Sequence, residues 1–131
     1  MREIKFRAWD KDKKQMIYKF NMTSDGQPYT WDKATIGDGI VIDEPAPLNV
    51  ELMQYTGLRD KNGREVYEGD IVRFKDWWDE EMVGEVRYSE KDMAFTIVND
   101  FWDGFPIMYA DDLEVIGNIY KNPELLEAAE E

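Results

Sequence analysis

The sequence predicts an all-β protein: a small SH3-like barrel with an N-terminal β-hairpin, a long loop and a short C-terminal helix. Three observations predict it. Short segments of alternating apolar and polar residues recur along the chain, separated by turn signals every ~8–12 residues. Aromatic residues make up 14% of the 131 positions, and rings pack well on a pleated, half-buried surface. Glycine also stands where tight turns need it, in Asn62-Gly63 and in Glu68-Gly69-Asp70.

Residues 3–9 alternate, with Ile4, Phe6 and Ala8 on one face and Lys5 and Arg7 on the other. A charged run from Asp10 to Lys14 leads into Met16, Tyr18 and Phe20, which again share a face. Two period-2 runs joined by a short polar stretch read as a β-hairpin. Residues 21–47 carry Gly26, Pro28, Gly37, Gly39, Pro45 and Pro47, and these breakers predict a long loop holding one short strand, Ile40-Val41-Ile42. A loop of that length in a small domain is functional or mobile, although Tyr29 and Trp31 argue that part of it packs down.

Residues 48–55 alternate, and Asp60-Lys61-Asn62-Gly63-Arg64 follows as a hairpin signal, with Asn-Gly tolerating positive φ at both central positions. Glu68-Gly69-Asp70 predicts a second tight turn feeding a strand from Ile71 to Lys75. Further strands are expected at 82–89, 93–98, 107–110 and 113–119. In the tail, Asn122 is placed as an N-cap, Pro123 suits the first helical position, and Glu124 suits the positive end of the helix dipole. About two turns of helix are expected, fraying through Glu130 and Glu131. The reading is one domain: hairpin and loop over 1–47, barrel over 48–120, helical tail over 121–131.

Sixteen basic and twenty-nine acidic residues give a net charge of −13. Its distribution is uneven: residues 1–20 carry +4, residues 21–70 carry −6, and residues 71–131 carry −11. A field of that sign repels phosphate backbones, which disfavours general nucleic-acid binding. The chain has no cysteine, so it holds neither a disulfide framework nor a thiolate metal site. No stretch approaches the ~18 apolar residues of a membrane span, and the strand-like start is unlike a signal peptide. A cytoplasmic protein without membrane contact is the expectation.

Three segments carry a family resemblance. They are Arg2-Glu3-Ile4-Lys5-Phe6-Arg7-Ala8-Trp9-Asp10, then Gln54-Tyr55-Thr56-Gly57-Leu58-Arg59-Asp60-Lys61-Asn62-Gly63 continuing to Val72, and Val115-Ile116-Gly117-Asn118-Ile119-Tyr120 with Asn122-Pro123-Glu124-Leu125-Leu126. In order and content they resemble the YopX family of bacteriophage and prophage proteins. The resemblance implies a mainly β fold and a phage or prophage origin. It implies no established biochemical activity and supplies no catalytic residues. Residues 21–47 and Asp76-Trp77-Trp78-Asp79-Glu80-Glu81 look least like the family, so a function peculiar to this chain is expected there.

Histidine and cysteine are both absent, which removes the usual neutral-pH base and the best thiol nucleophile. Ser24 and Ser89 lie in no activating motif. No catalytic residue, cofactor or metal is therefore expected, and the chain reads as a non-enzyme. Asp76, Asp79, Glu80 and Glu81, or Asp111, Asp112 and Glu114, could hold only calcium or magnesium, and read more simply as surface carboxylates. Asp60-Lys61-Asn62-Gly63 echoes a calcium loop, but the remaining ligand positions do not follow.

Trp77-Trp78 has two readings, as a cap on the barrel core or as an interface anchor, since Trp is enriched at binding hot spots. Phe101-Trp102-Asp103-Gly104-Phe105 raises the same alternative. The basic hairpin, with Arg2, Lys5, Arg7, Lys11, Lys13, Lys14 and Lys19 among Trp9 and Tyr18, is a solvated face, a single-strand-binding surface, or a contact for an acidic surface. The candidate interaction surface is Trp9, Lys11, Lys13, Lys14, Trp77, Trp78 and Trp102. The leading function is a phage accessory protein acting through protein–protein contacts, as a homo-oligomer or on a host or phage protein. The alternatives are an acidic nucleic-acid mimic that blocks a host DNA- or RNA-binding protein, and a weak single-stranded nucleic-acid binder.

Overall fold

The computed structural model describes residues 3–130, and the side chains of residues 3–127. Arg2, counted above with the basic hairpin, and Glu131 of the expected fraying tail lie outside the described residues. The fold is nearly all β with one short C-terminal helix, as the sequence predicts. The chain divides into two compact units, residues 6–52 and residues 53–130 together with the N-terminal residues up to Lys5.

In the first unit, β1 (Phe6–Asp10) pairs antiparallel with β2 (Gln15–Ile17), with Trp9 opposite Met16. Asp10 closes this hairpin by accepting the N–H groups of Asp12 and Lys13, both at 3.0 Å. The expected solvent face of β1 is corrected: Arg7, Ala8, Trp9 and Asp10 are all buried. A buried guanidinium persists only with polar partners, which period-2 patterning does not reveal.

The long loop of 21–47 is also corrected. It contains β3 (Asn21–Met22), β4 (Pro28–Ile36) and β5 (Ile40–Pro47), an antiparallel three-stranded sheet in that order. Strands β4 and β5 pair from Tyr29↔Pro47 to Ile36↔Ile40. Nearly every residue of this ribbon is exposed on both faces, so burial never imposed an alternating pattern. The prolines, which read as breakers, are accommodated because Pro45 and Pro47 lie on the edge strand β5 and Pro28 is the first residue of β4.

In the second unit, β6 (Val50–Arg59, entering from the first unit) pairs with β7 (Glu65–Tyr67). Then β8 (Asp70–Lys75), β9 (Glu81–Ser89), β10 (Ala94–Val98) and β11 (Phe105–Pro106) meander, and β12 (Asp111–Asn118) returns beside β8. This five-stranded sheet curls as a half-barrel. Val72, Phe74, Val86, Ile97, Phe105, Leu113 and Val115 of this sheet form the core of the unit, together with Val66 of β7 and Ile107. Gly84 lets β9 and β10 approach closely, because a Cβ there would sit 2.6 Å from Ile97 Cγ2 and 2.9 Å from the Val98 carbonyl oxygen.

The strand expected at 107–110 is instead a 3-10 turn over Ile107–Tyr109. Only Ile107 is buried there, and the Ala110 N–H closes back onto the Ile107 carbonyl at 3.1 Å. The tail forms α1 (Glu124–Glu130). Asn122 does not cap it by its side chain. Its Oδ1 accepts the Asn118 N–H at 3.2 Å, while the Asn122 carbonyl takes the Leu125 N–H at 3.0 Å.

The Asn62-Gly63 turn departs from the two-residue form. Gly63 is left-handed at φ 84°, but Asn62 is not. Asp60 is the first residue of the turn, its carbonyl accepting the Gly63 N–H at 3.0 Å and its N–H donating to the Arg64 carbonyl at 2.8 Å. Nothing lies within 4 Å of a Cβ built on Gly63, so a substitution there acts through backbone strain alone. Gly63→Val will cost about 1–2 kcal/mol, while Gly63→Asn will recover most of it. A denaturation midpoint unmoved by valine would contradict the left-handed assignment.

Candidate functional site

Two turns at one end of the curled sheet are built alike, each around an amide or carboxylate side chain. Between β8 and β9, Asp76 Oδ1 accepts the N–H groups of Trp78 at 3.0 Å and Glu80 at 3.1 Å. The Asp76 backbone closes the same turn with Asp79 and Glu80, and Asp79 takes a left-handed φ of 60°. After β10, Asn99 Oδ1 accepts the N–H groups of Phe101 at 2.9 Å and Trp102 at 2.6 Å, and its Nδ2 donates to the Val83 carbonyl at 3.0 Å. Asp and Asn favour such turns because their side chains mimic a backbone acceptor two residues on. The two turns are tied together where Trp102 Nε1 donates to Asp76 Oδ2 at 3.3 Å.

This scaffold gathers seven aromatic rings. Phe105 is fully buried and packs on Phe74 of the core at 5.2 Å between ring centroids. Against Phe105 rest Trp77 at 4.9 Å and Trp102 at 5.0 Å. Tyr109 continues the row from Trp77 at 5.0 Å. Trp78 stacks on Trp102 at 5.8 Å with planes 20° apart, and Phe101 meets Trp102 edge-on at 5.4 Å. The outer rings are open to solvent: Trp78 is 66% and Phe101 65% exposed, with Trp77 and Tyr109 each about half exposed. The result is an apolar shelf whose inner rings are fixed in the core and whose outer rings face water.

The shelf is set in carboxylates. Residues 76–81 and 99–112 contain eight acidic residues and no basic one. Apart from the turn-building Asp76, all are exposed. Lys75 lies 3.9 Å from Asp79 and 4.0 Å from Asp112, and Arg73 reaches Glu81 at 3.2 Å. A cleft of about 400 Å³ opens beside Phe101, walled by Glu81–Val83, Asn99, Asp100 and Leu126 of α1. Among the described residues, no three or more carboxylates come together as a metal site.

Of the residues singled out from sequence, Trp77, Trp78 and Trp102 are brought together. Trp9 is corrected as a candidate contact residue: it is only 7% exposed, because the strand carrying it is covered on both faces. Lys11 pairs with Glu51 at 2.7 Å, while Lys13 and Lys14 are exposed. These four belong to the unit of residues 6–52. With Arg7 and Trp9 buried, the run of exposed cations and rings expected along the hairpin is interrupted. Sequence reasoning missed Tyr109, read as part of a strand, and the organising roles of Asp76 and Asn99. The only signal for those roles was an Asp or Asn just past the end of a β-pattern, ahead of a paired aromatic.

The solved structures similar to this chain agree with the fold. Protein EF1440 from Enterococcus faecalis is 29% identical, with 96% of this chain and 99% of that chain covered and a TM-score of 0.60. YopX from Bacillus subtilis is 26% identical at the same coverage, with a TM-score of 0.53. No curated protein matches. No helix among the described residues is long and apolar enough to cross a membrane. The YopX protein family model matches residues 5–127, and the chain belongs to the YopX family.

Proposed function

We propose that this protein is a non-enzymatic phage or prophage accessory protein that docks another protein on the aromatic shelf around Trp77, Trp78 and Phe101. The observation that carries this reading is the pairing of exposure with rigidity. Large rings held in place by a buried foundation lose little conformational freedom on binding, and desolvating them supplies affinity. Mobile apolar loops lack that advantage. The chemistry of the chain points the same way. Histidine and cysteine are absent, and Ser89 is engaged in a turn with Asp92, accepting its N–H and donating to its carboxylate at 3.2 Å.

Self-association through the Lys11–Lys14 loop is a weaker reading, since Trp9 is buried and Lys11 already has Glu51. The test of the shelf is a comparison of affinity capture by the natural protein and by Trp78→Ala from a bacterial lysate carrying the phage. Trp78 sits on the surface, so its removal will change stability by less than about 1 kcal/mol while releasing the captured partner. Capture of the same proteins by both forms, with the same yield, would remove the shelf from the function.

A further inference from the structure

Resting on the docking reading above, we propose that the shelf accepts an extended Lys- or Arg-rich segment of a partner protein. Cationic side chains would lie over the exposed indole and phenyl faces, and the surrounding carboxylates would neutralise them. The aromatic rings and the charge point independently to this chemistry. A flat ring offers a negative face, and a cation over it is attracted most strongly by tryptophan. Here the rings of Trp78 and Phe101 flank Trp102, and Trp77 and Tyr109 follow on the other side of the buried Phe105. An anionic or neutral apolar partner would also fit the rings, but it would have to approach seven exposed carboxylates on the two shelf-forming segments.

Local cations do not cancel that field. Lys75 and Arg73 engage Asp79, Asp112 and Glu81, whereas Glu80, Asp100 and Asp103 stand exposed with no such neighbour among the described residues. The cleft beside Phe101 suits the same side chains. Met82 and Leu126 give it an apolar wall and Glu81 and Asp100 an acidic one, matching the methylene stem and charged head of Lys or Arg. The partner segment must also be extended, because the shelf is a row of rings and not an enclosed pocket.

The test uses the full chain and three synthetic twelve-residue peptides of one Gly/Ser framework. One carries alternating Arg and Lys, one Glu at the same positions, and one Leu and Phe there. Binding is read by calorimetry and by tryptophan fluorescence at 0.15 M and 0.5 M salt. The expected result is that only the basic peptide binds, weakened but not abolished at the higher salt. Trp78→Ala should weaken it about tenfold at unchanged net charge. Neutralising Glu80, Asp100 and Asp103 together should do at least as much, and neutralising Asp25, Asp38 and Asp43 in the other unit should do little.

Equal binding by natural protein and Trp78→Ala, with both neutralised variants weakened alike, would show mere attraction to an acidic protein and overturn the proposal. Failure of the basic peptide to bind would overturn it too. Binding of the Leu/Phe peptide, lost in Trp78→Ala, would reject the cationic partner while keeping the shelf as a docking surface. Thermal unfolding of each variant confirms that it is folded.

Discussion

Asp60→Ala will destabilise the protein by about 3 kcal/mol and lower its melting temperature by on the order of 10 °C. The aspartate is buried, and its two oxygens serve three backbone donors. Oδ1 accepts the N–H groups of Asn62 and Arg64, and Oδ2 accepts that of Val115, all at 2.9 Å. Val115 lies in β12, fifty-five residues further on, so one side chain both shapes the β6–β7 turn and fastens it to the sheet. The Lys61 N–H, donating to the Leu113 carbonyl at 2.8 Å, makes a second stitch that the substitution leaves in place. Alanine strands the buried Val115 N–H, and an unsatisfied buried donor costs ~1–3 kcal/mol before the turn itself is counted. A loss below 1 kcal/mol in denaturant unfolding would show that water replaces the carboxylate.

The same group sets a pH dependence. Burial pushes the Asp60 carboxyl up, but the N–H donors of Val115, Arg64 and Asn62 outweigh it and hold the pKa below the ordinary value. A depressed folded-state pKa contributes stability that is complete above the unfolded value, near 4, and is lost as the pH falls through the folded value. Glu65, held low chiefly by its hydrogen bond from Lys5, acts in the same direction. Asp60→Asn therefore flattens the acid limb of a stability-versus-pH curve while lowering its plateau. An acid limb as steep as in the natural protein would contradict the assignment.

How much of this was legible depends on which physical constraint wrote the sequence. Strands β8 and β10, buried at the consecutive residues Ile71-Val72 and Thr96-Ile97, read correctly as short apolar runs bounded by turn signals. Strands β9 and β12 alternate because one face lies against the core. The β4–β5 ribbon has no such face. Trp31, Ile36, Ile40, Val41 and Ile42 are all exposed, and the pattern of the segment looked like loop. The strand expected at 107–110 gives way to a 3-10 turn for a related reason: Ile107 alone faces the core, while Met108 and Tyr109 face solvent. At Asp60, the turn was visible locally through Gly63, but its reach to Val115 was not, because no local pattern encodes a partner fifty-five residues away. The shelf lies between these cases. Trp77-Trp78 and Phe101 to Phe105 were each conspicuous as aromatic clusters, and only the β8–β9–β10–β11 meander makes them one surface.

Phe105→Ala will have the largest effect of all, about 3–5 kcal/mol, because it empties a fully buried site and leaves a cavity that the stiff sheet cannot close. The site is where core and shelf meet. Phe105 touches Phe74 on its inner side and both Trp77 and Trp102 on its outer side. Its removal will therefore do more than destabilise. Trp77 and Trp102 lose the ring that holds their orientation, and the tryptophan emission will shift to the red as both become wetter. Phe105→Leu fills most of the volume, so it should cost about 1–1.5 kcal/mol and leave the spectrum nearly unchanged. Trp78→Ala offers the opposite control, since it removes an exposed ring and spares the foundation. If the shelf works as a rigid docking surface, Phe105→Leu will retain partner binding, Trp78→Ala will lose it with stability intact, and Phe105→Ala will lose both. A Phe105→Ala protein that keeps native emission and loses under 1 kcal/mol would mean that the outer rings do not depend on the core, and the rigidity on which the docking reading rests would be gone.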